Sequence, residues 1–98
     1  MVRINWTYQA KSDLKDIAEY VSKDSKLYAK RQVLKIRYRT HILKSHTYSG
    51  RKLPEIQDED IREVLEGKYR IIYRIVTKTR IDILTIHHAA RDLRKRKL

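Results

Sequence analysis

The chain has no cysteine, no phenylalanine, a single proline and only two glycines in 98 residues. Without cysteine there can be no disulfide frame and no thiolate metal site, which suits a reducing cytoplasm. With so little proline and glycine, connections should be short and few. No run approaches the ~18 apolar residues of a membrane span. The opening MVRINWTYQA lacks the apolar core of a secretory signal. Acid is also scarce, with 12 Asp and Glu against 24 Lys and Arg.

The resulting net charge of +12 and pI near 10.1 favour polyanionic partners: nucleic acid, an anionic surface or an acidic protein. The charge is uneven. Residues 23–44 hold eight Lys or Arg and one acid, Asp24, whereas residues 55–66 hold six acids and one base, Arg62. The hydrophobic share of 41% is enough for one packed core, so a single domain over 1–98 is expected, with a basic tail at about 90–98. Seven tyrosines and one tryptophan supply the aromatic bulk.

Periodicity divides the chain. Val2, Ile4 and Trp6 alternate with polar residues as a half-buried strand. Thr7 is placed to cap a helix over 8–22, whose apolar positions are Ala10, Leu14, Ile17, Ala18 and Val21. Asp24 or Ser25 opens a second helix over about 25–45. One stripe there is Ala29, Val33, Ile36, Thr40 and Leu43. A second, Leu27, Leu34 and Tyr38 with Ile42 at its end, reads as widening the apolar face so that the helix touches both its neighbour and a sheet. His46 to Pro54 is a loop. Strands follow over 61–66, 69–76 and 80–87, joined by Gly67-Lys68 and by 77–79 into an antiparallel meander. The predicted fold is α+β, in the order β-α-α-β-β-β, with a helical hairpin on one face of a small, mainly antiparallel sheet and the other face partly open.

The strand GKYRIIYRI puts Tyr69, Ile71, Tyr73 and Ile75 on one face and Arg70, Ile72, Arg74 and Val76 on the other. The first set suits packing on the helices. The arginine face, on strand pattern alone, reads as solvated, although a guanidinium there could grip phosphate or carboxylate. His87 and His88 adjoin and point to opposite faces, so they make no shared metal site, and no metal or other cofactor is expected. A strand-end histidine has a pKa suited to acid or base work, and a carboxylate such as Glu55 near Arg70 and His88 would complete a set for RNA cleavage. Arg51, Arg74, Arg91 and Arg94 are candidate contacts to a target or nucleic acid.

INWTYQAKSDLKDIAEYV, SGRKLPEI, DIREVLEGKYRIIYRI and IDILTIHHAARDL occur in this order over nearly the whole chain. Together they resemble the RelE/ParE superfamily of bacterial type II toxins, found in plasmid stabilisation modules. The resemblance implies a growth-inhibiting cytoplasmic toxin silenced by a cognate antitoxin, with no membrane or small-molecule substrate. It also implies one of two targets. ParE-like members act on DNA gyrase without being nucleases; RelE- and YoeB-like members cleave mRNA on the ribosome. In the nuclease reading Arg70 matches an active-site arginine, Glu55 a catalytic glutamate and His88 a catalytic histidine. The ending His88-Ala89-Ala90-Arg91 looks more like ParE, and the gyrase branch is preferred.

Overall fold

A computed structural model describes residues 2–91 and residue 93. The chain runs β1 (Arg3–Trp6), α1 (Tyr8–Ser22), α2 (Lys26–His41), a 3-10 turn (Ile42–Lys44), β2 (Arg51–Lys52), β3 (Ile61–Glu66), β4 (Tyr69–Thr77) and β5 (Arg80–His88). The sheet order is β1-β5-β4-β3-β2. β3, β4 and β5 form the expected meander, and β1 joins its far edge in parallel with β5. The α+β order read from periodicity is the observed one, except that the 46–54 loop contains the two-residue β2, which pairs with β3.

Side chains at the joints fix how helices meet sheet. The Thr7 hydroxyl accepts from the Ala10 amide at 3.2 Å, capping α1, and donates to the Ile83 carbonyl at 2.7 Å. One residue thus starts the helix and ties it to β5. Asp13, buried on α1, accepts from the Thr85 hydroxyl and from the Ile86 amide at 3.1 Å. These partners supply the hydrogen bonds that a buried carboxylate needs. Ser25, not Asp24, caps α2 by accepting from Tyr28 N–H at 3.1 Å.

The main core lies between the helical hairpin and the sheet. Ala10, Leu14 and Ile36 meet Ile71, Tyr73 and Ile83 there, and Tyr69 packs at its margin. The helix-facing set on β4 is the one that alternation predicts. Two expectations need correction. The opposite sheet face is not open around its middle: Leu53, Ile61, Ile72 and Leu93 form a second, smaller cluster, flanked by Ile56 and Leu84. The loop before β3 supplies Leu53 and Ile56 and so covers the sheet. The second stripe on α2 is not core either. Ala29, Ile36 and Thr40 are buried, whereas Leu27, Leu34 and Tyr38 are exposed. Successive helical residues turn by a fixed angle, which carries the two stripes to nearly opposite sides, so a single packed layer can bury only one.

Register decides what shares a face. Gly67, at φ 57°, takes the left-handed conformation that a tight turn needs, and the β3–β4 hairpin then pairs Glu66 with Tyr69 and Leu65 with Arg70. Between β4 and β5 the register slips by one: Ile72 pairs with Thr85 but Tyr73 with Ile83, leaving Leu84 without a counterpart. Beyond the slip, Arg70 pairs with His87 and Tyr69 with His88.

Tyr73 is fully buried and carries a polar pin. Its hydroxyl donates to Thr47 O at 2.8 Å and accepts from Gly50 N at 3.0 Å, holding the loop down on the sheet. Burial pushes the Tyr73 phenol up from its ordinary value, so it stays a neutral hydroxyl that can serve both partners. A Cβ on Gly50 would meet the Tyr73 hydroxyl and lie 2.7 Å from the Glu63 carbonyl oxygen. Gly50→Ala is therefore predicted to cost about 1–3 kcal/mol, the usual range for overpacking. Urea unfolding checks this, and an unchanged midpoint would show that the loop does not rest on Tyr73 as described.

Candidate functional site

The outward face of the sheet carries a chain of ion pairs. Its centre is Arg70 on β4, only 7% exposed. The Arg70 Nη1 and Nη2 atoms donate to the two carboxylate oxygens of Glu55, at 2.7 and 3.0 Å. The Arg70 Nε atom donates to Glu63 at 2.5 Å. The other oxygen of Glu63 accepts from Arg51 Nε, also at 2.5 Å. The order is thus Glu55, Arg70, Glu63, Arg51, with alternating sign. Two separate pairs flank it: Arg74 to Asp58 at 3.2 Å and Lys52 to Glu59 at 2.8 Å.

Local structure puts each member in place. Glu63 stands on β3 opposite Ile72 and so falls diagonally between Arg70 and Arg74 on one sheet face. Arg51 reaches it because β2 pairs Arg51 with Glu63. Glu55 follows Pro54 in the loop anchored by Leu53 and Ile56, and that anchoring brings its carboxylate over Arg70. The geometry is the planar fork that only arginine presents. Arg70 is therefore not solvated, as strand pattern alone suggested. Its guanidinium is buried because two carboxylates replace the water it loses.

The electrostatics follow from these contacts. The hydrogen bond from Arg70 holds the Glu55 carboxyl below the usual 4.5, against a smaller opposing effect of burial. The same bond, with Glu63, raises the hold of Arg70 on its proton above the ordinary arginine range.

The other predicted site residues lie elsewhere. His88 pairs with Tyr69, on the helix side of the sheet, with the two rings edge to face at 5.6 Å. Its Nδ1 atom accepts from Ala90 N at 3.1 Å. It lines a cleft of about 500 Å³ between α1 and the ends of β4 and β5, with Asp16, Tyr20, Tyr69 and Arg91. Glu55 and Arg70 are thus brought together, and His88 is on the opposite side of the sheet from them. His87 is the histidine beside Arg70 in register. It is buried, with Nε2 at 2.9 Å from the Arg91 carbonyl oxygen. Arg51 joins the ion-pair chain, Arg74 sits at its flank and Arg91 is exposed at the cleft. Arg94 and the end of the basic tail lie outside the described residues. Among the described residues no group of His, Cys, Asp or Glu could hold a metal ion.

Comparison with known proteins decides the family. The family described as "ParE toxin of type II toxin-antitoxin system, parDE" matches residues 4–93. The chain belongs to the ParE toxin family. Among solved structures, this toxin is similar to the "Chromosomal ParDE TA system from P. aeruginosa", with a TM-score of 0.72 and 25% identity, over 90% of this chain and 96% of that one. No curated protein sequence matched significantly. The type II toxin assignment that the ordered motifs imply thus stands on both family and fold.

Glu63 is the member of the site that alternation did not single out. The signal was present: a two-residue Gly67-Lys68 turn fixes the hairpin register, which carries Glu63 to the arginine face. Because Glu63 is fully buried, Glu63→Ala leaves Arg70 short of a carboxylate and is predicted to destabilise the toxin by about 3–5 kcal/mol in urea unfolding. A loss below about 1 kcal/mol would contradict a buried pair. Glu55 gives a pH signature. Its carboxyl titrates lower folded than unfolded, so its stabilisation is full above the unfolded value of 4.5 and fades as pH falls through the folded value. Glu55→Gln should flatten that acid-side slope while leaving the alkaline side unchanged.

Proposed function

We propose that this toxin inhibits growth by binding DNA gyrase, and that a cognate antitoxin keeps it silent until released. The observation that carries the binding mode is the separation of His88 from Glu55 and Arg70. General acid–base chemistry needs its groups within hydrogen-bond reach of one reacting centre. Here the carboxylate is already clamped to the guanidinium, and the histidine is across the sheet. This supports an inhibitor that acts by occupying its target. The ParE family match supports the gyrase branch over the ribosome.

In this reading Arg70 organises the face, and the exposed cations make contact. Arg51 and Arg74 keep much of their side chains in solvent despite their carboxylate partners, and Arg91 is exposed beside the cleft. Together with the net charge of +12 they draw the toxin to an acidic or DNA-bound target in the cytoplasm. No helix among the described residues is long and apolar enough to cross a membrane.

Purified toxin should stop supercoiling by gyrase and leave translated messages intact. Rapid cuts within messages on ribosomes, with supercoiling untouched, would replace this reading with an endoribonuclease. Arg91→Glu should raise the toxin concentration needed for half-inhibition of supercoiling by about tenfold, equivalent to about 1.4 kcal/mol of binding, without changing the unfolding midpoint.

A further inference from the structure

The cleft between α1 and the ends of β4 and β5 combines rings with charges of both signs. At about 500 Å³ it falls within the range of about 300–1,000 Å³ that small ligands fill. Tyr69 and His88 are register partners, and their rings meet edge to face at 5.6 Å and 85°, making an aromatic corner. Tyr20, 71% exposed, adds a third ring from α1, and Ile17 adds aliphatic surface. Asp16 and Arg91 line the same cleft, and both are exposed. Lys23 stands 6.0 Å from the centre of the Tyr20 ring and adds a cation nearby.

The polar groups of the cleft keep bonding capacity. His88 accepts through Nδ1 from Ala90 N, so its neutral ring carries the proton on Nε2, a donor with no partner among the described residues. The Tyr69 hydroxyl also makes no hydrogen bond among them. Burial, and next the Tyr20 phenol, push the Tyr69 phenol up from its ordinary value, so it stays a neutral donor and acceptor. Neither Asp16 nor Arg91 has an ion-pair partner among the described residues. These features restrict the ligand. An amine would meet Arg91 and Lys23 as like charges. A purely apolar ligand would leave the polar groups facing it unpaired. A bare inorganic anion would ignore the rings and meet Asp16. A nucleotide uses every feature: base against the rings, phosphate on the guanidinium, and a sugar hydroxyl or base amino group donating to the carboxylate. A base inside a duplex is stacked and paired, so the nucleotide must be unpaired.

We propose that this cleft binds one unpaired nucleotide, with Tyr20, Tyr69 and His88 holding the base, Arg91 the phosphate and Asp16 the sugar or base amino group. A free mononucleotide and an unpaired position in a DNA strand offer the same chemistry, and the test separates the two sources. The site is distinct from the ion-pair face of the sheet, where Arg70 is already satisfied by carboxylates. It goes beyond the gyrase reading and stands without it, because binding is measured on the toxin alone.

The test titrates the full-length toxin with adenosine monophosphate, adenosine, inorganic phosphate, a short single-stranded DNA and the duplex of the same sequence. Calorimetry at about 0.15 M salt limits non-specific attraction to the basic surface. The mononucleotide should bind at least about tenfold more tightly than adenosine or phosphate alone. Tyr20→Ala and Arg91→Gln should each weaken it about tenfold, whereas Tyr20→Phe should not, since a ring and not a hydroxyl is needed. Both positions are exposed, so the unfolding midpoint should match the parent. Nuclear Overhauser contacts between the base protons and the rings of Tyr69 and His88 give a readout independent of mutation. Tighter binding of the mononucleotide than of the single strand assigns a free nucleotide, and the reverse assigns a strand; either supports the site. Phosphate binding as tightly as the mononucleotide, the duplex binding as tightly as the single strand, or an absence of base-to-ring contacts at saturation overturns the proposal. So does unchanged affinity in both Tyr20→Ala and Arg91→Gln. A toxin that binds the nucleotide here but leaves gyrase active removes the gyrase reading and keeps this one.

Discussion

Burying one guanidinium on the outer face of the sheet is the constraint around which the rest of this face is arranged. A charge taken out of water costs several kcal/mol, and only well-placed counter-charges offset it. Arg70 meets that demand twice, through the fork to Glu55 and through Nε to Glu63. Each partner then fixes something larger. Glu63 is on β3, so the pair locks the hairpin register; it also holds Arg51 and with it the short edge strand. Glu55 is in the loop, so the pair draws the loop across the sheet, where Leu53 and Ile56 join the second apolar cluster. On the other side the Tyr73 hydroxyl pins the start of the same loop through Thr47 and Gly50. A stretch rich in acid and a strand with two arginines thus become one surface.

Much of this was legible in the residues alone. Alternation along β4 separated the helix-facing tyrosines and isoleucines from the arginines, and Thr7 and the Gly67 turn marked real boundaries. The failures have physical causes. Strand periodicity gives the face of a side chain but not its solvation, so Arg70 read as wet until Glu55 and Glu63 were placed beside it. The face of His88 depended on the register slip at Leu84. Strict alternation from Ile81 and Ile83 would put His88 on the outer face with Arg70; one uncounted residue reverses that and brings His87 there instead. A single-residue slip leaves no composition signal, which is why the residues alone did not tell whether the histidine of the candidate set shares a face with the other two.

Helix α2 shows the complementary limit. Its two apolar stripes are both plain in the sequence, and pattern alone assigned both to the core. Among the described residues there is one layer of helices, on one side of the sheet, and it buries just one of the two stripes. The surplus stripe is left in solvent, in a helix that carries cations and no acid. The same division runs through the described residues. Paired charges gather on the outer face of the sheet, and exposed apolar and cationic side chains gather on the outer side of α2.

The central claim is that Arg70 is held by its neighbours and organises the face, in contrast to a guanidinium free to enter chemistry. The most direct measurement is the nuclear magnetic resonance signal of its side-chain Nε–H at neutral pH. A guanidinium locked between Glu55 and Glu63 should give a sharp, displaced Nε–H signal that exchanges with water far more slowly than those of exposed arginines, and that collapses in Glu63→Ala. An Arg70 signal that exchanges as fast as those of exposed arginines such as Arg31 would contradict the account.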